Sequence, residues 1–434
     1  MSPSVATLLN ASANCCFALA LFATADAAHA VKLRVLYAFT GPRDDGEQPQ
    51  GNLLEDSAGN FYGTTILGGN KGCAQGRYGC GSVFRIAPDG TESVLFLFDG
   101  KQHGGLPAAG LVADSAGNLY GTTQAGGDPN CDDGYGCGAV FKLAPDGTET
   151  IVHAFEWNND GAFPMAPLVA DGKGNLFGTT TYGGHTKTNC DSYFGCGAVF
   201  EIAADGTETI LHRFAEKNDG HYPSARLWID AAGDIFGTTT QGGANCQSGG
   251  GCGTVFELRP DGKEKVLYSF CNQSGCADGS QPYAGIIADS AGNLYGTTTF
   301  GGNAFCPGGC RTVFELSAGG SFKVLHTFTD VAFGTADGAY PIADLTADAS
   351  GNLYGTTYDG GDTGCGGGGC GAVFEVSPNG TESVLYGFVK KSGGRFPKGG
   401  LVLDNAGHFF GTSAEGGAQC KVRLGCGTVF EFTR

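Results

Sequence analysis

Residues 166–184 read APLVADGKGNLFGTTTYGG, and this stretch decides the fold because its central phrase, GNLFGTT from Gly174, recurs along the chain. The other copies are GNFYGTT at Gly59, GNLYGTT at Gly117, GDIFGTT at Gly233, GNLYGTT at Gly292 and Gly351, and GHFFGTS at Gly407. They are spaced by about 58 residues, so the chain contains seven repeats of one unit.

Four short apolar or alternating runs occur in a fixed order in each repeat. In the third repeat they are residues 164–171 (PMAPLVAD), the phrase itself, residues 197–202 (GAVFEI) and residues 208–214 (ETILHRF). Aspartate- and glycine-containing turns separate the first run from the second and the third from the fourth. Four antiparallel strands repeated seven times predict an all-β fold, a seven-bladed β-propeller.

The two ends of the sequence distinguish a closed ring from an open solenoid. Residues 33–39 (LRVLYAF) resemble the fourth run of other repeats, whereas residues 427–432 (GTVFEF) are a third run with no fourth run after them. We therefore predict that the N-terminal strand completes the last blade, because this pairing removes two exposed strand edges. An open solenoid would need capping repeats, and none is recognisable.

The composition is typical of an acidic, turn-rich β protein. Glycine accounts for 78 of the 434 residues, and the formal net charge is −18. The glycines follow no G-X-Y period, which excludes collagen. The negative charge argues against nucleic acid and anionic lipid as partners, although solubility alone also explains it.

The first 30 residues differ in character from the repeats. The apolar run of residues 16–23 (CFALALFA) precedes Ala28-His29-Ala30, a small-residue pattern typical of signal-peptide cleavage sites. We expect residues 1–30 to be a signal peptide and residues 31–434 to form a single secreted, extracellular or periplasmic propeller domain. No later run has the length of a membrane-spanning helix, so no transmembrane anchor is expected. The sequence leaves the oligomeric state open.

Sixteen of the eighteen cysteines, all except Cys15 and Cys16, fall into pairs that are close in sequence. These are Cys73/Cys80, Cys131/Cys137, Cys190/Cys196, Cys246/Cys252, Cys271/Cys276, Cys306/Cys310, Cys365/Cys370 and Cys420/Cys426. Their even number and their recurrence once per repeat, with Cys271/Cys276 as an extra pair, favour local disulfides formed outside the cytoplasm. A zinc site is the alternative, but it needs four ligands and usually closer cysteine spacing.

The phrase G-N-L-Y-G-T-T-x-x-G-G followed by G-x-V-F resembles the GloVer tandem-repeat family of bacterial exported proteins. The likeness covers residues 31–434. It implies a bacterial secreted or surface protein, but no particular activity. Many relatives end in a surface-sorting segment, and no such segment is recognisable here.

Strand order assigns the loops to two faces of the predicted propeller. Both tight turns of each blade lie on one face, where Glu149 is expected. The cysteine loops and the links between blades lie on the other face. Because long loops on a rigid scaffold often carry binding sites, we expect a site on the cysteine-loop face, near the central channel.

The links between blades supply the candidate site residues. Aspartate recurs at one position of the link as Asp45, Asp160, Asp219, Asp278 and Asp337, with His103 and Gly393 in the other two links. These carboxylates either close Asx-type turns or form a cation-binding ring. An aromatic residue follows nearby in four links, as Phe163, Tyr222, Tyr340 and Phe396, and either packs between blades or stacks on a ligand.

The predicted ligand-binding set combines these residues with others that depart from the repeat. It comprises His103, Asp160, Phe163, Asp219, His221, Tyr222, Asp278, Asp337, Tyr340, Arg395 and Phe396. No catalytic, phosphate-binding or metal-binding motif is present, so neither a cofactor nor a metal site is predicted.

Three functions remain compatible with the sequence. An extracellular binding module with a glycan or protein ligand is the leading hypothesis. A secreted polysaccharide lyase or glycoside hydrolase is the second, because histidine, arginine and tyrosine on one face could provide acid–base chemistry. A structural envelope or matrix protein is the third. A propeller fold by itself does not choose among them.

Overall fold

The computed structural model describes residues 32–41, 45–69, 73, 78–157, 159–184, 195–215, 218–244, 252–302, 311–329, 337–361, 365, 368–389, 393–417, 420 and 425–433. The predicted signal peptide, residues 1–30, lies outside them, as do Cys190, Cys246, Cys306 and Cys310. Helix in the described residues is limited to the short 3-10 segments Asp132–Gly134 and Ser274–Cys276. None of it is long and apolar enough to cross a membrane.

Seven antiparallel sheets form the propeller blades, which confirms the predicted fold. The first strands are Leu54–Glu55, Val112–Ala113, Val169–Ala170, Trp228–Ile229, Ile287–Ala288, Thr346–Ala347 and Val402–Leu403. The second strands are Phe61–Leu67, Leu119–Thr123, Leu176–Thr180, Ile235–Thr239, Leu294–Thr298, Leu353–Thr357 and His408–Ser413. The third strands are Ser82–Ile86, Ala139–Leu143, Ala198–Ile202, Thr254–Leu258, Thr312–Leu316, Ala372–Val376 and Thr428–Thr433. The fourth strands are Glu92–Leu97, Glu149–Ala154, Glu208–Arg213, Glu264–Ser269, Phe322–Thr327, Glu382–Gly387 and Lys32–Ala38.

The N-terminal strand closes the ring as predicted. Lys32–Ala38 pairs antiparallel with Thr428–Thr433, and Leu33 lies opposite Phe432 in the register. A short additional strand, Glu47–Pro49, then pairs with the second strand of the first blade. The last blade therefore contains strands from both ends of the chain.

A glycine and a phenylalanine on neighbouring strands explain why the repeated phrase is so uniform. In the third blade, Gly178 of GNLFGTT lies opposite Phe200 on the next strand. A Cβ atom at Gly178 would lie 2.5 Å from Cζ of Phe200, so no larger residue fits. Phe200 is completely buried, and burial of such a side chain contributes about 1.5–3 kcal/mol.

Pairs of phenylalanines join neighbouring blades. The ring just after each fourth strand packs edge-on against the ring in the third strand of the next blade, at centroid distances of 5.1–5.3 Å. The pairs are Phe39–Phe84, Phe98–Phe141, Phe155–Phe200, Phe214–Phe256, Phe270–Phe314, Phe328–Phe374 and Phe388–Phe430. All of these rings are completely buried, and each pair lies between two neighbouring blades.

An aspartate organises the turn between the first and second strands of each blade. In the fifth blade, Oδ1 of Asp289 accepts hydrogen bonds from the backbone N–H groups of Ala291 and Asn293, both at 2.9 Å. Its Oδ2 accepts from the Asn293 side chain at 2.8 Å and from the Tyr295 hydroxyl at 3.0 Å. The aspartate of this motif thus stabilises both the turn and the strand that follows it.

The disulfide prediction is confirmed wherever both partners are described. The bonds join Cys73 to Cys80, Cys131 to Cys137, Cys271 to Cys276, Cys365 to Cys370 and Cys420 to Cys426. Each bond therefore closes a short loop within one blade or link.

Candidate functional site

The leading candidate site is a cavity of about 630 Å³ at the mouth of the central channel. The residue after a recurring proline contributes one side chain per blade to its wall. We call these seven residues the mouth ring: Gln50, Ala108, Met165, Ser224, Tyr283, Ile342 and Lys398. The ends of several second strands complete the wall, so the cavity opens on the cysteine-loop face.

The backbone before each mouth-ring residue has an unusual conformation. The residue before the proline has a left-handed φ of 52–58° in every blade. These residues are Gln48, Leu106, Phe163, Tyr222, Gln281, Tyr340 and Phe396. Side chains other than glycine rarely adopt this conformation, and it costs on the order of 1–3 kcal/mol. Other contacts must therefore stabilise each link.

The preceding blade supplies those contacts. In the six links whose second cysteine is described, the N–H group of the left-handed residue donates to the carbonyl of that cysteine at 2.8–2.9 Å. The following proline packs on a glycine of the same blade; a Cβ at Gly197, for example, would lie 2.8 Å from Cδ of Pro223. The cysteine loop thus fixes the path of the next link, which in turn positions the mouth ring.

A chain of hydrogen bonds crosses the floor of the cavity two residues beyond the mouth ring. The Asn52 side chain donates to Oδ2 of Asp344 at 3.0 Å, and Oδ1 of Asp344 accepts from the Gly285 N–H group at 2.8 Å. Oδ1 of Asn52 accepts from the Gly400 N–H group at 2.6 Å. A smaller space of about 110 Å³ adjoins this floor, where Arg226 is exposed. These hydrogen bonds therefore link the first, fifth, sixth and seventh blades to one another.

The four predicted aromatic residues occupy equivalent positions but have different neighbours. Tyr222 lines the cavity and packs edge-on against Tyr182 at 5.2 Å. Phe163 packs against Trp157 at 5.5 Å. Tyr340 lies against a cationic group, because Cζ of Arg311 is 3.8 Å from the centre of its ring. Phe396 stacks on Tyr358, with 4.8 Å between the two ring centres.

The predicted aspartates are engaged within their own links. Asp160 accepts from the Glu156 N–H group at 2.7 Å, and Asp278 accepts from the Asn272 N–H group at 2.8 Å. Each also contacts the preceding fourth strand, as illustrated by the Tyr268 hydroxyl, which donates to Asp278 at 2.7 Å. Asp45, Asp219 and Asp337 make corresponding contacts. The aspartates therefore belong to the joints between fourth strands and links, separate from the cavity wall.

The three remaining predicted residues lie in different surroundings. His221 packs against the ring of Tyr222, with ring centres 4.6 Å apart. Arg395 is buried and pairs with Glu415 at 2.9 Å. Nδ1 of His103 is 2.6 Å from Oε2 of Glu149, and this contact raises the pKa of His103.

The His103 contact corrects one expectation about the two faces. Strand order suggested that Glu149, at the start of a fourth strand, would lie far from the links. Its side chain is almost completely buried beside His103, and burial raises its pKa although the histidine acts in the opposite direction. The start of a fourth strand therefore reaches the link that precedes its own blade.

The mouth ring was not predicted from the sequence, although a signal for it is present. A proline stands at the same position in all seven links, and the residue after it differs in every one. Repeats within one chain provide seven versions of one structural position. Because the residue varies completely beside an invariant proline, the fold requires no particular side chain at this position.

Comparisons with solved structures agree with the propeller fold. The extracellular domain of a hybrid two-component system from B. thetaiotaomicron matches with a TM-score of 0.52 and 9% identity, over 93% of this chain and 42% of that one. A gluconolactonase from Xanthomonas campestris matches with a TM-score of 0.40 and 15% identity, over 75% of this chain and 86% of that one. The first of these matches is consistent with a shared fold, and neither says anything about the activity of this chain.

Sequence comparison identifies the repeat itself. A search of curated proteins found no match. The model of the Gloeobacter/Verrucomicrobia repeat matches three overlapping segments, residues 21–191, 133–368 and 246–434. Together these segments contain all seven copies of the repeated phrase. The chain therefore belongs to the Gloeobacter/Verrucomicrobia repeat family.

Proposed function

We propose that this protein is an exported, non-enzymatic binding propeller that recognises an extracellular glycan at the mouth of its channel. The observation that carries the proposal is the mouth ring, because a sevenfold scaffold presents seven different side chains there. An asymmetric ring can distinguish the parts of an irregular ligand, whereas seven identical residues could not.

The chemistry of the cavity wall supports a carbohydrate ligand. Aromatic rings come from Tyr182, Tyr222, Tyr283 and Phe300. Amide and hydroxyl groups come from Gln50, Gln124, Gln241, Thr181, Ser224, Thr240 and Thr299. Sugars combine apolar faces with hydroxyl groups at their edges, so they suit a wall of rings and neutral hydrogen-bonding groups. Tyr283 is 41% exposed and is thus accessible to such a ligand.

Among the described residues that line the cavity, Lys398 is the one that carries a cationic group. Desolvation lowers the pKa of Lys398, whereas the charge of Glu415 acts in the opposite direction. An acidic group on the glycan would compensate for this desolvation. Lys398 therefore favours an acidic or partly acidic polysaccharide over a strictly neutral one.

The proposal of export rests on different residues from the proposal of binding. In the described part of the chain, five disulfides each join two cysteines that are five to seven residues apart, and such bonds form in oxidising compartments. The N-terminal apolar run provides a signal sequence for secretion. N-terminal sequencing of protein recovered from the periplasm or medium should begin just after the Ala28-His29-Ala30 segment. Recovery of the intact chain in the cytoplasm would contradict export.

A glycan array, followed by a reducing-end assay, tests the binding proposal. Tyr283→Ala, Tyr222→Ala and Lys398→Ala should each weaken binding by about 1–3 kcal/mol without unfolding the protein. Lys173→Ala is the matched control, because this exposed lysine lies in a tight turn on the opposite face. Unchanged affinity in all three mouth variants would remove the mouth from consideration. Release of reducing ends would instead support the lyase or hydrolase alternative.

A further inference from the structure

A three-residue cluster recurs where neighbouring blades meet, away from the channel mouth. It combines a histidine of a fourth strand, the aspartate of the following link and the first glutamate of the next fourth strand. Two copies bring one ligand atom from each residue within 4.8 Å of the others: His212, Asp219 and Glu264, and His326, Asp337 and Glu382. Each cluster contains side chains from two neighbouring blades, and imidazole and carboxylate groups are common ligands of divalent metal ions.

The aspartate of the first cluster is oriented by its own link. Oδ2 of Asp219 accepts from the Ala215 N–H group at 2.7 Å. Its Oδ1 lies 3.1 Å from Nε2 of His212. The backbone thus binds Oδ2, which is also 3.3 Å from the imidazole nitrogen, and Oδ1 is the oxygen nearest to that nitrogen.

The second cluster has the same arrangement. Oδ2 of Asp337 accepts from the N–H group of Thr329 at 2.8 Å and from its hydroxyl at 3.0 Å. Oδ1 again lies 3.1 Å from the histidine, here Nε2 of His326. Two links of different length therefore produce the same geometry.

The glutamates provide a further observation, which Glu92, Glu149 and Glu208 at the starts of other fourth strands share. Oε1 of Glu264 and Oε1 of Glu382 are both buried and have no hydrogen-bond partner. A buried oxygen without a partner is costly, and a cation beside it would remove that cost.

We propose that these two clusters are divalent metal sites with His Nε2, Asp Oδ1 and Glu Oε1 as ligands, and that they prefer Zn²⁺. Two carboxylates and a neutral imidazole carry two negative charges, which balance one divalent ion. Ligands of a tetrahedral zinc at about 2.0–2.2 Å are roughly 3.3–3.6 Å apart, slightly more than the 3.1 Å between the histidine nitrogen and the aspartate oxygen. Ca²⁺ prefers six to eight oxygen ligands, so an imidazole with two carboxylates suits zinc better.

No sequence motif announces these sites, because the three ligands come from separate segments of two blades. The histidine and aspartate are seven residues apart in one cluster and eleven in the other. The glutamate follows only after three more strands. The proposal therefore departs from the expectation that the protein has no metal site.

Another joint of the same propeller serves as an internal control. There, Tyr268 replaces the histidine and donates to Asp278 at 2.7 Å. Phe322 replaces the glutamate, and its ring stacks on that of Tyr268 at 4.0 Å. The same joint is thus stabilised by aromatic packing where metal ligands are absent.

Isothermal titration of the chelator-treated, purified mature chain with Zn²⁺ tests the proposal, with Ca²⁺ as the competing ion. We expect His212→Gln and His326→Gln each to remove one zinc equivalent, and the double variant to remove two. Tyr268→Phe should leave the zinc stoichiometry unchanged. Saturating Zn²⁺ should raise the Tm of the parent and raise it less in the double variant.

Two results would overturn the proposal. One is the absence of zinc binding by the folded parent. The other is zinc binding whose stoichiometry is the same in the parent and in the folded double variant. If His→Gln impairs folding, Glu264→Gln and Glu382→Gln replace it, because glutamine keeps the size of glutamate and removes only its charge. Retention of both equivalents in that folded pair would equally exclude the clusters.

Discussion

Two rings of residues repeat around this propeller, and they differ in how much they vary. The first ring consists of the turn aspartates Asp56, Asp114, Asp171, Asp230, Asp289, Asp348 and Asp404, which are identical in all blades. The second is the mouth ring, which is different in all blades. The turn needs a particular side chain because the carboxylate itself forms the hydrogen bonds. The mouth position is determined by backbone contacts and proline packing, so its side chain is free to serve recognition.

The largest effect should follow from deleting the strand that closes the propeller, because both rings depend on a closed propeller. Deletion of residues 32–38 would leave the edge of Thr428–Thr433 without a partner strand. We expect aggregation or a large loss of thermal stability, because an unpaired edge invites pairing with other chains. Thermal unfolding and light scattering measure both outcomes. A deletion variant that melts like the parent would show that ring closure contributes little.

A smaller effect should separate the two rings within one blade. Asp289→Ala removes the acceptor of four hydrogen bonds and should lower the free energy of unfolding by about 1–3 kcal/mol. Tyr283→Ala in the same blade should change the free energy of unfolding by no more than about 0.5 kcal/mol, because the exposed tyrosine ring stabilises no turn. Denaturant titration provides both values. Equal losses in the two variants would invalidate the distinction between the rings.

The smallest effect should be on the pH dependence of stability, to which Asp289 and Asp359 contribute in opposite directions. Despite desolvation, which acts against them, hydrogen bonds from Asn293 and Tyr295 lower the pKa of Asp289. Near the cysteine loops, desolvation raises the pKa of Asp359 from 3.8 to about 6, with Arg311 acting against it. Asp289 thus stabilises the fold above its unfolded pKa and loses this contribution in acid. Asp359 contributes most below pH 3.8 and loses its contribution as the pH rises through 6.

Asparagine substitutions test this difference in pH dependence. The Tm of Asp359→Asn relative to the parent should increase between about pH 4 and 6 and then stay constant. The relative Tm of Asp289→Asn should instead fall as the pH rises from acid towards neutrality. Parallel profiles for the two variants would contradict the opposite pKa shifts.

Features that lie within one repeat could be predicted from the sequence. The blade number, the strand order and the local disulfides all follow from short segments that recur along the chain, and the closing strand could be recognised because it resembles the other fourth strands. The reason is that neighbouring strands in a blade are also neighbours in sequence. A pattern such as G-x-V-F therefore already contains most of the contacts that it makes.

Features that arise between blades could not be predicted in the same way. The Glu149–His103 pair and the histidine–aspartate–glutamate clusters depend on where the twisted fourth strand meets the preceding link. The left-handed conformation of Tyr222 depends on the carbonyl of Cys196, which belongs to another blade. The ligand-binding role of Tyr222 and the other predicted residues stays a prediction. The variation after each proline could have indicated the mouth ring, because it needs only a comparison of the seven repeats.

The left-handed residues before the prolines also have a consequence for the thermodynamics of recognition. Proline fixes its own φ angle, and both the N–H and the carbonyl group of a residue such as Phe163 are hydrogen-bonded. The conformational entropy of the mouth is therefore lost during folding, before any ligand arrives. A ligand would meet a backbone that is already ordered, and its affinity would not be reduced by a cost of ordering loops. Recognition at this rim would then select among ligands of fixed shape with little adjustment of the protein backbone.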